Sequence, residues 1–201
     1  MFFPRLMRLT AALICASSSA FGAPLIAVDV DPGTPGIQTD LVVSVGQAFS
    51  ADVVISGVDV ADPLNAFELD LGFDPSVLQA TSAIDGDFLL DPVFNLEAQL
   101  DNSVGEISFS SVTLLPLGAS GEGVLATLGF VALASGISIL DLNDLLLSAP
   151  FGEPIEIGEV SGGNVSVMPE ASAPEPNALV IFALGLALLV LAVRRGRAQQ
   201  I

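Results

Sequence analysis

From Leu25 to Met168 the apolar side chains recur at every second position, a spacing that fits extended strands and not helices. Phe67, Leu69, Leu71 and Phe73 alternate with Ala66, Glu68, Asp70 and Gly72. Phe49, Ala51, Val53 and Ile55 alternate with Ser50, Asp52 and Val54. The same alternation returns at Ile107 and Phe109, at Val124, Ala126, Leu128 and Phe130, and at Val165 and Val167. A strand with one apolar and one polar face buries only half its side chains, so two sheets of such strands must stack. Turn residues break the pattern at Asp31-Pro32-Gly33, Ser56-Gly57, Asp74-Pro75-Ser76, Asp85-Gly86-Asp87, Gly118 to Gly123, Ser135-Gly136 and Gly162-Gly163. The expected fold is an all-β, immunoglobulin-like sandwich of about nine strands. Helical turns are expected in two places only. One is Asn143 to Ser148; the other is Pro75 to Ala80, with Asp74 as N-cap and Pro75 at the first position.

The two ends of the chain obey different rules. Arg5 and Arg8 precede the apolar run Leu9 to Ala16, and small residues from Ser17 to Ala23 follow. This is the layout of a secretory signal peptide, with cleavage expected after Gly22. The only cysteine, Cys15, lies in that segment, so the domain after it has no disulfide and no thiolate metal site. At the other end, Pro169 to Asn177 loses the period and carries three prolines, as an extended linker does. Ala178 to Val193 is uncharged, and its sixteen residues lie near the short limit for a transmembrane helix. Arg194, Arg195 and Arg197 follow it at once, a stop-transfer cluster that places the tail in the cytoplasm. The expected organisation is a signal peptide at 1–22, a sandwich domain at 23–168, a linker at 169–177, one membrane helix at 178–193 and a basic tail at 194–201. The chain is thus expected to be exported, a single-pass precursor with its domain outside the inner membrane, and then cell-surface or extracellular.

Charge narrows the function. The chain has 23 carboxylates and a net charge of −18, and every cation is one of the five arginines at the ends. A middle of that sign repels phosphate, so nucleic acid is excluded as a partner. Residues 23–168 hold no His, Lys, Arg, Cys, Tyr or Trp. That removes Ser-His triads, thiol nucleophiles, Schiff-base lysines and zinc ligands, and the chain is read as a non-enzyme. A glycan platform would need stacking aromatics, and only Phe is available. Calcium is the one cofactor the residues admit, with hard oxygen ligands at Asp29 and Asp31 and at Asp85 and Asp87; neither pair has EF-hand spacing.

Two resemblances add to this reading. Pro174-Glu175-Pro176, the apolar run and the arginine cluster together resemble the PEP-CTERM sorting signal of Gram-negative bacteria. The resemblance implies recognition by an exosortase, processing near the Pro-Glu-Pro motif, and a link to exopolysaccharide and biofilm matrix. The middle resembles a cohesin domain. The matching stretches are Val43-Ser44-Val45-Gly46-Gln47-Ala48-Phe49, the strand Phe67 to Phe73 with Asp74-Pro75-Ser76-Val77-Leu78, Gly121 to Phe130, and Asn143 to Ile157 with Gly163 to Val167. This implies a cohesin-like sandwich that binds a dockerin-bearing protein through one sheet face, without catalysis. The partner-contacting residues vary within that family, so none transfers to a position here. The alternatives are a matrix protein bridged by divalent cations and a carbohydrate-binding module linked to polysaccharide degradation.

Overall fold

The computed structural model describes residues 22–170. The expected signal peptide, membrane helix and basic tail, and all but the start of the linker, lie outside the described residues. Among the described residues no helix is long and apolar enough to cross a membrane.

Eleven strands form two stacked sheets: β1 (Leu25–Asp29), β2 (Asp40–Ser44), β3 (Ala48–Val58), β4 (Ala66–Gly72), β5 (Leu78–Asp85), β6 (Val93–Asp101), β7 (Glu106–Thr113), β8 (Gly121–Ala132), β9 (Gly136–Ser148), β10 (Glu159–Ser161) and β11 (Gly163–Met168). One sheet has the order β10-β1-β3-β8-β5 and the other β2-β11-β9-β4-β7-β6. The count exceeds the expected nine because short edge strands such as β10 hold too few residues to display a period. β10 pairs in parallel with β1, and β2 in parallel with β11; the other pairings are antiparallel.

The alternation sets the core. Phe67, Leu69 and Leu71 of β4, Ile107 and Phe109 of β7, and Leu140 and Leu147 of β9 point inward. They meet Ile26 and Val28 of β1, Ala51, Val53 and Ile55 of β3, and Ala126, Leu128 and Phe130 of β8. Phe130 stacks on Phe49 at 5.5 Å and meets Phe73 edge-on at 5.6 Å. Each fully buried side chain of this size contributes about 1.5–3 kcal/mol of transfer free energy.

Three local expectations are corrected. Asn143 to Ser148 is not helical; it is the end of β9, where Asp144 to Ser148 pair residue for residue with β4. Asn143 is the extra residue of a bulge, and its amide lies over Gly72, where a Cβ would come within 2.7 Å. Pro75 to Ala80 forms one turn and no helix. Asp74 caps it by accepting hydrogen bonds from the Ser76 amide (2.9 Å) and hydroxyl (2.6 Å), but Leu78 already opens β5. Burial of Leu78 and Ala80 against the core outweighs the local helix signal. Ser56-Gly57 is a bulge inside β3, with Gly57 at φ 77°, and not a turn between strands. The only helix among the described residues is a single 3-10 turn at Pro150–Gly152.

Candidate interaction face

The six-stranded sheet shows its other side to solvent, and strand register places the outward side chains of β9, β4, β7 and β6 in four rows. The first row is Ser148, Ala66, Val112 and Phe94; the second is Leu146, Glu68, Ser110 and Leu96. The third is Asp144, Asp70, Ser108 and Gln99, and the fourth is Asp141, Gly72, Glu106 and Asp101. The first two rows are largely apolar and the last two largely acidic. Leu96, Phe94 and Leu146 are 61%, 56% and 55% exposed, although each is a residue that strands normally bury. Between them runs a groove of about 270 Å³, lined also by Glu68 and Val112.

The groove is held by a rigid support. Directly beneath it Phe67 and Phe109 pack with ring centroids 6.0 Å apart. At the acidic end, the β6–β7 hairpin is fixed by Asn102. Its side-chain oxygen accepts from the Ala80 amide (2.7 Å), and its amide nitrogen donates to the Ala80 carbonyl (3.0 Å). One side chain thus ties this hairpin to the opposite sheet. Gly105 closes the hairpin at φ 80°, and a Cβ there would fall 2.1 Å from the Phe73 carbonyl oxygen. Asp101 accepts from the Ser103 hydroxyl (2.6 Å) and amide (2.9 Å). These bonds, the hydroxyl's first and the amide's second, lower its pKa from the ordinary 3.8.

A second apolar area lies on the same sheet, beyond the acidic rows. Ile137 and Ile139 of β9 sit beside Ser166 and Asn164 of β11, and Val42 of β2 sits beside Ser166. All three apolar side chains are exposed, as is Met168 where β11 ends.

The residues proposed from sequence as calcium ligands fall on the other sheet and the loops beside it. Asp29 ends β1 and is nearly buried; one of its oxygens accepts from the Asp31 and Gln38 amides, both at 3.1 Å. Asp31 accepts from the Thr34 hydroxyl at 2.7 Å. This pair shapes the loop that carries the chain from one sheet to the other. Asp85 ends β5 and accepts from the Asn95 amide group, while Asp87 accepts from the Val124 amide at 3.3 Å. The two pairs are brought no closer to each other, since β3 and β8 separate β1 from β5. Among the described residues no three carboxylates converge as around a metal ion. Pro174, Glu175, Pro176, Arg194, Arg195 and Arg197 lie outside the described residues.

Sequence reasoning missed the face itself. The available signal was Leu145-Leu146-Leu147, three leucines in a row where a half-buried strand allows one leucine on each side of the middle one to bury. Leu147 is buried, Leu145 is half-buried and Leu146 is exposed.

Comparison with known families decides what kind of sandwich carries this face. A family model for the cohesin domain matches residues 37–148, just over half of the 201 residues. The chain belongs to the cohesin family. Solved cohesin structures share its fold. A type I cohesin–dockerin complex from Clostridium thermocellum superposes with a TM-score of 0.59 at 13% identity, over 74% of this chain and 95% of that one. A cohesin module from a family 33 glycoside hydrolase of Clostridium perfringens gives 0.58 at 16% identity, over 74% and 99%. A non-cellulosomal cohesin from the archaeon Archaeoglobus fulgidus gives 0.55 at 15% identity, over 74% and 94%. At such identities the likeness concerns the fold. Comparison with curated proteins finds no match. Cohesins are non-catalytic interaction modules, which agrees with the missing catalytic residue types.

Proposed function

We propose that this protein is an exported interaction module that captures a dockerin-bearing partner on the outer face of β9-β4-β7-β6. The observation that carries the reading is the groove between Phe94, Leu96 and Leu146: exposed apolar side chains on a rigid sheet of a cohesin-family sandwich. An exposed apolar patch rimmed by polar groups marks a binding surface in a soluble domain. Similar structures in this family are of cohesins in complex with dockerins, which supports that partner class.

The sorting signal supplies the location. Pro174-Glu175-Pro176 presents a motif for an exosortase outside the bilayer, 178–193 holds it there, and Arg194, Arg195 and Arg197 stop transfer. The domain's own geometry suits such a tether. β11 ends at Met168, with Val167 beside Gly136 at the start of β9, and the groove lies at Leu146 near the end of that strand. The ten residue steps between Gly136 and Leu146 span roughly 30 Å, so the groove lies at the far end of the sheet from Met168. A second reading, an anionic matrix protein bridged by divalent cations to exopolysaccharide, draws on the −18 charge.

The test is hydrogen exchange on the exported chain with and without a purified calcium-loaded dockerin module. Protection confined to β4, β6, β7 and β9 supports the reading, whereas protection on β1, β3 and β8 defeats it. For sorting, Glu175→Ala is expected to leave a longer, membrane-bound precursor on an immunoblot; normal processing would refute exosortase recognition. Loss of matrix association on chelation, with no dockerin binding, would favour the second reading.

A further inference from the structure

The binding face is polarised. Across β9, β4, β7 and β6, the third and fourth rows carry Asp144, Asp70, Asp141, Glu106 and Asp101. With rows about 7 Å apart and strands about 4.8 Å apart, these five carboxylates fit within roughly 14 by 7 Å. The row spacing is below the Debye length of about 8 Å at physiological salt, so their potentials add. Asp70 and Asp144 are direct cross-strand neighbours, an arrangement that like charges disfavour. Residues 22–170 contain no Lys, Arg or His to relieve it. The Ser103 hydroxyl and amide both donate to Asp101, which fixes where its charge stands.

Resting on the functional reading above, we propose that the partner's docking surface is bipartite. An apolar ridge fills the groove between Leu96 and Leu146, and a Lys/Arg cluster lies over Asp70, Asp144 and Glu106. Charge complementarity fixes the orientation, since a partner turned by half a revolution would set its cations against leucines and its ridge against five carboxylates. A neutral or acidic docking surface is rejected by the unpaired, desolvated carboxylates it would leave. The acidic half steers encounter, and the apolar half sets residence time.

The experiment measures association and dissociation rates of the exported chain with a panel of purified calcium-loaded dockerin modules whose helical faces run from acidic to basic. Binding is expected from the basic members alone, with an association rate that falls about tenfold or more between 50 and 500 mM salt. The triple change Asp70→Asn, Glu106→Gln, Asp144→Asn is expected to lower the association rate roughly tenfold at low salt and flatten its salt dependence, with dissociation nearly unchanged. A control triple, Asp62→Asn, Glu122→Gln, Glu156→Gln, alters net charge equally away from the face and is expected to leave the rates as they were. Thermal unfolding of both triples verifies that they fold. An equal effect from the control overturns the inference, because net charge alone would then be responsible. Salt-independent binding by neutral or acidic modules, lost on Leu96→Ser, overturns the inference and leaves the functional reading standing. Failure of every module to bind sinks both.

Discussion

The two outer faces of the sandwich start from the same alternation and end differently. On the five-stranded sheet the central strands present Ser50, Asp52 and Val54 from β3, and Thr127 and Gly129 from β8. The Thr127 hydroxyl donates to Asp52 at 2.7 Å, so that carboxylate is partnered within the sheet. Gly129 lies under the Ser82 and Thr81 hydroxyls, which leave no room for a Cβ. The large exposed apolar side chains there, Val160, Leu25 and Ile84, lie one each on β10, β1 and β5. On the six-stranded sheet Leu146 is central, Phe94 and Leu96 join it across a groove, and the neighbouring carboxylates have no cation. One face partners its central carboxylate within the sheet; the other leaves its leucines, and its carboxylates apart from Asp101, to be satisfied from outside. Polar composition alone does not separate the two, and the state of each group does.

The sharpest way to break this comparison is to damage both faces equally. Leu96→Ser with Leu146→Ser is expected to weaken capture of a calcium-loaded dockerin module by about 100-fold or more, as loss of a central apolar anchor does. Leu25→Ser with Ile84→Ser, of the same chemistry on the other sheet, is expected to leave it within about twofold. Titration calorimetry reads both pairs. Equal losses would mean that the exposed leucines matter for stability and not for recognition.

The next effect concerns support of the acidic end. Asn102→Ala leaves the Ala80 amide and carbonyl without their bidentate partner, at a cost of about 1–3 kcal/mol in urea unfolding. Because Asn102 joins the β6–β7 hairpin to β5, hydrogen exchange should quicken in that hairpin and not in β1. Ser138→Ala is smaller. The hydroxyl is fully buried and accepts from the Asp74 amide at 2.9 Å, so its removal is expected to cost about 1 kcal/mol. If neither change lowers the unfolding midpoint, these side-chain links do not hold the face in place.

The sequence was most legible where a strand is half-buried and long. Phe67 to Phe73 displays its period without interruption, and the half-buried strand that the alternation implied is there as β4, near the middle of the six-stranded sheet. β6 was illegible for the reason that makes it useful. Phe94 and Leu96 face water and bulge residues shift the register between Leu96 and Gln99, so its pattern reads as neither a buried strand nor a polar one. The helical reading of Asn143 to Ser148 failed similarly, because a bulge at Asn143 beside three leucines imitates a helical spacing. Asp74 is the converse case. Its capping role was read correctly, but packing of the next residues chose a strand, since a single capped turn is too weak to propagate a helix against a core.

The smallest effect is the dependence of stability on acid. Ser76 holds the Asp74 carboxyl below its ordinary 3.8 through its hydroxyl first and its amide second, and Ser103 does the same for Asp101. A carboxyl that binds its proton more weakly when folded stabilises the fold above its unfolded pKa, and that contribution disappears as pH falls through the lower folded value. Both contributions are therefore complete above about pH 4 and decline below it. Both groups lie in turns adjoining the six-stranded sheet, at the same end as the acidic rows. Acid should thus loosen that end before the polar face of the other sheet. Asp101→Asn removes the titrating group, and it is expected to flatten the acid limb of the melting curve between pH 4 and pH 2 relative to the unaltered chain. An acid limb of unchanged slope in both Asp74→Asn and Asp101→Asn would mean that these solvent-exposed turns contribute nothing measurable. The acidic end of the face would then rest on Asn102 and Gly105 alone.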